Sequence, residues 1–410
     1  MSATEPPGLE GLLHRHLPLL RYDSQEPYFA DSAAEWTDNP GNELRRADGT
    51  VIAAAPPNAS PHRLALDFLG ASAYGDGEKA ETGDRIRDST KAYADQARGL
   101  HAQPKYANRV YGHWAADGDG RAWLAYWFFY FYNDYNLVGP LLPAGLHEGD
   151  WEMIQLRLDE QLSAPDLAVY AQHAAAEARA WKDVQRVGDQ PVVYPARGSH
   201  ACYFDTGFLD TGIHQTPAKW FDYANGKRKA PQLSLEVVVD GDPAYDWISW
   251  PGMWGGTEPS HGLDGEIAAK LGIADSSPRG PGRHDQWQDP KRLLEKAGDV
   301  GALKVSTASL QAAVPPTPTV AIARDGRSLR IDYSSRAEIA QLVVTLNSPQ
   351  QPLPPAAHRV PVQHPQGTVE VDADLHDEWT YDVHVSASAP DGQSSVSVEL
   401  PLPAVPSAIR

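Results

Sequence analysis

The most apolar stretch of the chain, residues 123–132, is largely aromatic and runs into Asn133-Asp134. It is far shorter than the ~18 to 20 residues that cross a bilayer, so it predicts a buried strand. Upstream, Val110-Tyr111-Gly112-His113-Trp114 is separated from it by Asp117-Gly118-Asp119-Gly120. Those residues tolerate the positive φ of a tight turn, which predicts a hairpin. A further strand is predicted over residues 150–158, where Trp151, Met153, Ile154, Leu156 and Leu158 are apolar. Side chains alternate between the faces of a strand, so Asp150 and Glu152 point to one side and Trp151 to the other. Leu167-Ala168-Val169-Tyr170 and Val192-Val193-Tyr194 read as short strands. The strongest helical stretch is residues 174–187, rich in Ala with Glu177, Arg179, Lys182 and Arg186. Residues 9–20 predict a short helix that Pro18 ends.

Past residue 305 the pattern changes. Residues 306–318 hold Ser, Thr, Ala and the prolines Pro315, Pro316 and Pro318 without apolar period, the composition of a semi-rigid linker. Short period-two runs follow: Leu329, Ile331, Tyr333; Val369, Val371; Tyr381, Val383, Val385; Val396, Val398, Leu400. Turn signals at Asp325-Gly326 and Pro390-Asp391-Gly392 separate them. The expected fold is therefore mainly β: a β-sandwich core with a few helices over residues 1–305, and a smaller antiparallel β-sandwich, fibronectin-type-III or immunoglobulin-like, over residues 319–403.

Composition narrows the functional classes. The formal charge of −19 repels phosphate backbones and anionic lipid, and no basic cluster offsets it, so a nucleic-acid partner is excluded. Cys202 is the single cysteine, which rules out an internal disulfide and a Cys-rich zinc site and fits a reducing compartment. Met1-Ser2-Ala3-Thr4-Glu5-Pro6-Pro7-Gly8 lacks the features of a secretory signal. A cytoplasmic protein is expected, with leaderless export as the alternative.

The chemistry gathers in His147-Glu148-Gly149-Asp150-Trp151-Glu152. Two carboxylates about 7 Å apart on one strand face repel each other when charged, and a cation between them removes that cost. His147, flanked by Gly145 and Gly149, can fold back toward the same face. Asp134, where the aromatic strand leaves the core, is a candidate fourth ligand. One imidazole with carboxylate oxygens and no thiolate favours Mg²⁺, Ca²⁺ or Mn²⁺. The plain alternative is a solvated carboxylate pair at a sheet rim. By contrast, an EF-hand starting at Asp117 would need a bidentate Glu where Phe128 stands, so that turn holds no ion.

In combination, several blocks resemble the vacuolar-protein-sorting-62-like family over residues 15–295. They are Tyr126-Trp127-Phe128-Phe129, Asn133-Asp134, the block around Asp150, Gln172-His173, Pro191-Val192-Val193-Tyr194, Gly198-Ser199-His200-Ala201 and Ser277-Pro278-Arg279-Gly280-Pro281 with Trp287. The resemblance implies a domain type more than an activity. Residues 145–152 are also similar to the Gly-His-Arg-His-Asp-Trp-Glu heptapeptide of necrosis- and ethylene-inducing-peptide-like toxins. That likeness implies a β-sandwich with a divalent cation held by His147, Asp150, Glu152 and Asp134. Glu148-Gly149 departs from the toxins' Arg-His, and the single cysteine departs from their disulfide, so lysis is not implied.

His173 and His200 each follow an apolar segment and can act as ligand, donor or general base. Ser199-His200 is not a hydrolase pair, because the Gly-x-Ser-x-Gly elbow is absent. Three functions share these residues. The first is cation-dependent recognition of a sugar or glycolipid headgroup. The second is metal-dependent hydrolysis of an ester or phosphoester, with His200 and His173 as catalytic groups. The third is an assembly module with a structural metal.

Overall fold

The computed structural model describes residues 8–54, 64–90, 108–134, 147–173, 175–211, 221–229, 233–256, 278–297, 316–348, 350, 358–390, 395 and 397–405. The protein is mostly β. Its central sheet has six strands in the order Ser234–Val237, Arg109–Ala116, Ala122–Asn133, His147–Leu158, Pro165–Gln172 and Ala175–Ala180. The first pair is parallel and the rest antiparallel.

The aromatic strand Ala122–Asn133 is apolar on both sides because both faces of this sheet are covered. On one face Trp127, Phe129, Trp151 and Met153 pack against Trp36, Trp247, Trp250 and Trp254. Part of that cover is a four-stranded sheet of Met253–Trp254, Arg85–Asp88, Asn42–Arg45 and Val51–Ala54. On the other face Leu124, Tyr126, Phe128, Tyr130 and Ile154 meet Leu13, Leu20, Tyr22, Cys202 and Phe204. Those partners come from a helix, Leu9–Arg15, and from strands that include Leu19–Tyr22 and Cys202–Tyr203. Pro18 stands between that helix and the Leu19–Tyr22 strand, as its missing N–H and fixed φ require.

The hairpin closes at Asp117-Gly118-Asp119-Gly120, with Asp117 N–H donating to the Arg121 carbonyl at 2.9 Å. One expected helix is not there. Residues 175–180 form the edge strand of the central sheet, paired antiparallel with Pro165–Gln172, and a 3-10 turn at Trp181–Asp183 follows. Tertiary pairing overrides the helical propensity of alanine: Ala176 is buried against the Trp-rich face, while Glu177 and Arg179 sit partly exposed.

Beyond the linker, Thr319–Asp325, Ser328–Ser334 and Gln366–Asp372 form one antiparallel sheet. His358–Pro361, Gln341–Asn347, Tyr381–Ser388 and Val398–Leu402 form another. Leu329, Ile331, Leu342, Val344, Val383 and Val385 make their shared core. Residues 306–315 of the linker, Val396 and the Asp391-Gly392 turn lie outside the described residues. Among the described residues no helix is long and apolar enough to cross a membrane.

Candidate functional site

The His147–Leu158 strand pairs with the aromatic strand in a register that sets Tyr130 against Asp150 and Phe128 against Glu152. It begins three residues earlier than its apolar pattern suggests, at His147. Gly149 makes this possible. Its φ is +60°, and a Cβ there would lie 2.4 Å from the Trp254 carbonyl oxygen, so only glycine fits. The left-handed residue separates its neighbours. Glu148 accepts N–H donors from Asp88 at 2.8 Å and Gly256 at 2.6 Å. Asp150 faces the opposite surroundings and meets His200. Burial pushes the Glu148 carboxyl up to about 8 despite its two donors.

As alternation requires, Trp151 lies in the Trp-rich cluster and Asp150 and Glu152 point away from it. Asp150 Oδ2 accepts from His200 Nδ1 at 2.9 Å and from Asn133 Nδ2 at 3.4 Å. Glu152 is 9% exposed, and among the described residues its carboxylate takes part in no hydrogen bond or ion pair. Burial, then the charges of Asp150 and Asp222, hold its carboxyl well above the usual range. The His147 imidazole folds back so that Nδ1 lies 2.7 Å from the Gly149 carbonyl. A carbonyl only accepts, so Nδ1 carries the proton and Nε2 keeps the lone pair.

His200 is fully buried at the end of the turn that follows the Gln190–Pro195 strand. It lies flat on Tyr130, with ring centroids 3.9 Å apart and planes at 4°. Its other nitrogen, Nε2, lies 3.4 Å from Glu26 Oε1. Burial alone would lower its pKa, but the charge of Glu26 and the bonds to Asp150 and Glu26 outweigh burial and raise it to about 9. His173 closes the Pro165–Gln172 strand, and its Nε2 donates to Asp222 Oδ2 at 2.8 Å. Its pKa is raised, because the charge of Asp222 and the hydrogen bond to it overcome burial. Both histidines hold φ above +50°, at 52° and 58°, a backbone state that non-glycine residues keep only where their surroundings enforce it.

The structure thus brings the buried Asp150, Glu152 and His200 to one place, with the more exposed His173 joined to it through Asp222. Asp134 is turned elsewhere: its carboxylate accepts from Arg359 Nη2 at 2.8 Å, while its N–H reaches the Gly198 carbonyl. Gly145 lies outside the described residues. Among the described residues no three His, Cys, Asp or Glu side chains converge closely enough to hold a metal ion.

Two members of the cluster carry no sequence signal. Glu26, from the buried Asp23-Ser24-Gln25-Glu26 segment, takes Gly198 N–H at 2.7 Å. Asp222, in the Phe221–Ala224 strand, accepts from Ser199 Oγ at 2.8 Å and Tyr203 OH at 2.6 Å besides His173. Ser199 stands in a turn and not on a strand, and its hydroxyl serves Asp222 and not a histidine.

No family model matches the chain. It is 24% identical over 309 residues to the "Putative vacuolar protein sorting-associated protein TDA6" of Saccharomyces cerevisiae. The match covers 62% of this chain and 62% of that protein, so the chain spans less than two-thirds of the relative's length. That name falls in the vacuolar-sorting group whose motifs the sequence resembles. Among solved structures, necrosis and ethylene inducing protein 2, from the causal agent of cocoa's witches' broom disease, shares 12% identity over 67% of this chain and 93% of its own, with a TM-score of 0.29. A myokine structure matches 22% of this chain and 98% of its own at 13% identity and a TM-score of 0.19. At such scores neither likeness carries an argument.

Proposed function

We propose that the chain is a vacuolar-protein-sorting-62-like protein that binds a divalent cation at Asp150 and Glu152 and uses it to recognise a sugar or glycolipid headgroup. One observation carries the reading: Glu152 is buried beside Asp150 and, among the described residues, its carboxylate takes no hydrogen bond or ion pair. A carboxylate in that position costs several kcal/mol if ionised and unpaired, and a hard cation offsets the cost. The cation is Mg²⁺, Ca²⁺ or Mn²⁺, because the oxygens outnumber the one lone-pair imidazole, His147 Nε2. Closing the shell requires side-chain rotation, which Glu152 makes without breaking a hydrogen bond. Asp134 joins the set only by leaving Arg359.

Recognition is preferred over hydrolysis on geometric grounds. Each ring nitrogen of His200 faces a carboxylate oxygen, of Asp150 and of Glu26, so both nitrogens donate and neither can accept a proton from water. His173 Nε2 is likewise engaged by Asp222. Bound hard cations take sugar hydroxyls as ligands, and tyrosine faces suit the ring. Here Tyr28 and Tyr132 stand together at 5.5 Å, and Tyr28 also packs edge-on against His200; both rings are buried and would have to turn outward to meet a sugar. In this reading the protein works in a reducing compartment such as the cytoplasm, where the buried Cys202 stays a thiol. Residues 319–403 act as a fibronectin-III-like spacer.

The test is metal analysis of the purified full chain followed by a glycan and glycolipid array with and without EDTA. EDTA-sensitive, saturable binding without turnover supports the reading. Product release from an ester or phosphoester panel would replace it with the hydrolase. A chelator-induced fall in melting temperature without any ligand would leave a structural metal.

A further inference from the structure

We infer that the outer face of the second C-terminal sheet is a docking surface for the rim of the His200 cluster, and that this docking is reversible and closes the cluster. That gives residues 319–403 a role beyond spacing. The consequence for ligand entry rests on the binding reading above; the docking itself does not.

Alternation along the sheet defines the face. In the Gln341–Asn347 strand, Leu342, Val344 and Leu346 point into the module's own core, and Val343, Thr345 and Asn347 point away from it. Residues opposite each other in an antiparallel ladder share a face. Val343 stands opposite both Arg359 and Ser386, Thr345 opposite His384, and His384 opposite Glu399. The outer face is thus mostly polar in its middle and charged on its two edge strands, with Arg359 on one flank and Glu399 on the other. Such a composition suits water. Yet Val343, Thr345, His384 and Ser386 are buried.

The upstream domain lies against this face. Gln25 Nε2 donates to the Val343 carbonyl at 3.1 Å, and Asn347 Nδ2 donates to the Ser24 carbonyl at 3.4 Å. At the flanks Arg359 pairs with Asp134 and Glu399 with Lys227. Three of these upstream residues are direct neighbours of residues that hold the cluster. Gln25 precedes Glu26, which faces His200 Nε2. Asp134 follows Asn133, which donates to Asp150. Lys227 precedes Arg228, whose Nη1 donates to the Glu26 carbonyl at 3.3 Å. Gln25 also joins face and cluster directly, because its Oε1 accepts from Nη1 of Arg197, three residues before His200, at 2.6 Å.

Reversibility follows from the chemistry of the contact. Among the described residues no strand of the module pairs with an upstream strand, and its hydrophobic core is its own. Permanent interfaces are apolar, whereas polar contacts between domains come apart. Both ion pairs are partly exposed, so salt screens them. On the docking face Thr345 Oγ1, Asn347 Oδ1 and Ser386 Oγ are buried and, among the described residues, take no hydrogen bond. Each gives up hydration on docking without a bond in return, which favours release. With Asp150 and Glu152 buried and His200 fully so, a headgroup reaches them only when the rim opens. Undocking also frees Asp134 from Arg359.

The experiment uses the full chain and no ligand. Backbone hydrogen exchange is followed at residues 22–28 and 197–202, with residues 109–116 of the central sheet as reference, and X-ray scattering in solution gives the maximum dimension. The double variant Arg359→Glu/Lys227→Glu sets like charges against each other at both flanks. It should speed exchange in the two rim segments by at least ~10-fold, as local opening does, leave the reference unchanged and lengthen the particle. Raising salt from ~0.05 to ~0.5 M should move the wild-type chain the same way, through screening. Adding Glu399→Lys to Lys227→Glu alone should restore wild-type exchange, which a general loss of stability would not allow. Unchanged exchange and dimension in both the double variant and high salt would overturn reversible docking. A longer particle with unchanged exchange at residues 197–202 would overturn the closure of the cluster. Should the double variant fail to fold, the wild-type salt series decides by the same two readings. Because no ligand enters, a glycan array without hits would sink the binding reading and leave docking to stand or fall on its own result.

Discussion

Two acidic segments on neighbouring strands look alike in sequence and are opposites in the structure. At the hairpin turn, Asp117 Oδ1 accepts N–H groups from Asp119 at 3.0 Å and Arg121 at 2.9 Å, and Oδ2 accepts the Trp123 indole at 2.8 Å. Burial opposes ionisation there, but those donors outweigh it and hold the carboxyl below its usual range. On the His147–Leu158 strand, opposite Phe128, Glu152 is also buried and, among the described residues, its carboxylate takes no hydrogen bond or ion pair. A carboxylate's role is thus set by the donors that reach it. Asp117 is a structural anion, complete in itself, whereas Glu152 lacks a counter-charge.

The largest effect on this contrast is expected from Gly149→Ala. The new Cβ would meet the Trp254 carbonyl at 2.4 Å in a backbone with φ of +60°. The strain should cost about 3 kcal/mol or more, since a wrong φ and a buried clash add. Glu148 and Asp150 would lose their separate surroundings. Chemical denaturation measures the cost, and a loss below ~1 kcal/mol would show that the strand tolerates another path.

Next come two substitutions that the sequence pattern treats as equivalent. In chelated protein, Glu152→Gln removes a carboxyl that burial and Asp150 keep from ionising and that folding must therefore protonate, and it should raise the melting temperature by a few degrees, on the order of 1 kcal/mol. Asp150→Asn removes the anion facing the buried His200 and should destabilise by about 1–3 kcal/mol, the scale for a charged partner left behind. Calorimetry in EDTA reads both. The same sign for the two would erase the distinction between partnered and bare carboxylates.

Much of this was legible in the pattern of residues. The alternation through Asp150, Trp151 and Glu152 placed the carboxylates on one face and the indole on the other, because period two is a local property of a strand. The aromatic strand, the Asp117 hairpin and the short strands before His173 and His200 were legible for the same reason. What local pattern does not carry is pairing between distant segments. Glu26 reaches His200 from 174 residues away, and Asp222 reaches Ser199 from 23 residues away. Neither carries a motif of its own. The Ala-rich residues 175–180 misled for a related reason: alanine favours a helix locally, and only the free edge of the Pro165–Gln172 strand makes the segment a strand.

The smallest expected effect tests the other half of the comparison. Asp117→Asn keeps an oxygen for the two turn N–H groups but sets an amide NH₂ against the Trp123 indole N–H, donor against donor. The cost should be about 1–2 kcal/mol, the value of one hydrogen bond to a charged group, with cation affinity unchanged. Its pH dependence has a definite sign. The folded carboxyl lies below the ordinary value of 3.8. The wild-type turn therefore contributes stability that is fully present above that value and is lost as pH falls through the folded pKa. Asp117→Asn should be destabilised against wild type at neutral pH, and the gap should shrink in acid below about pH 4. Urea unfolding from pH 7 down to 2.5 measures it: a gap that stays constant with pH would mean that the Asp117 turn is held by shape alone, and the contrast with Glu152 would no longer be one of charge.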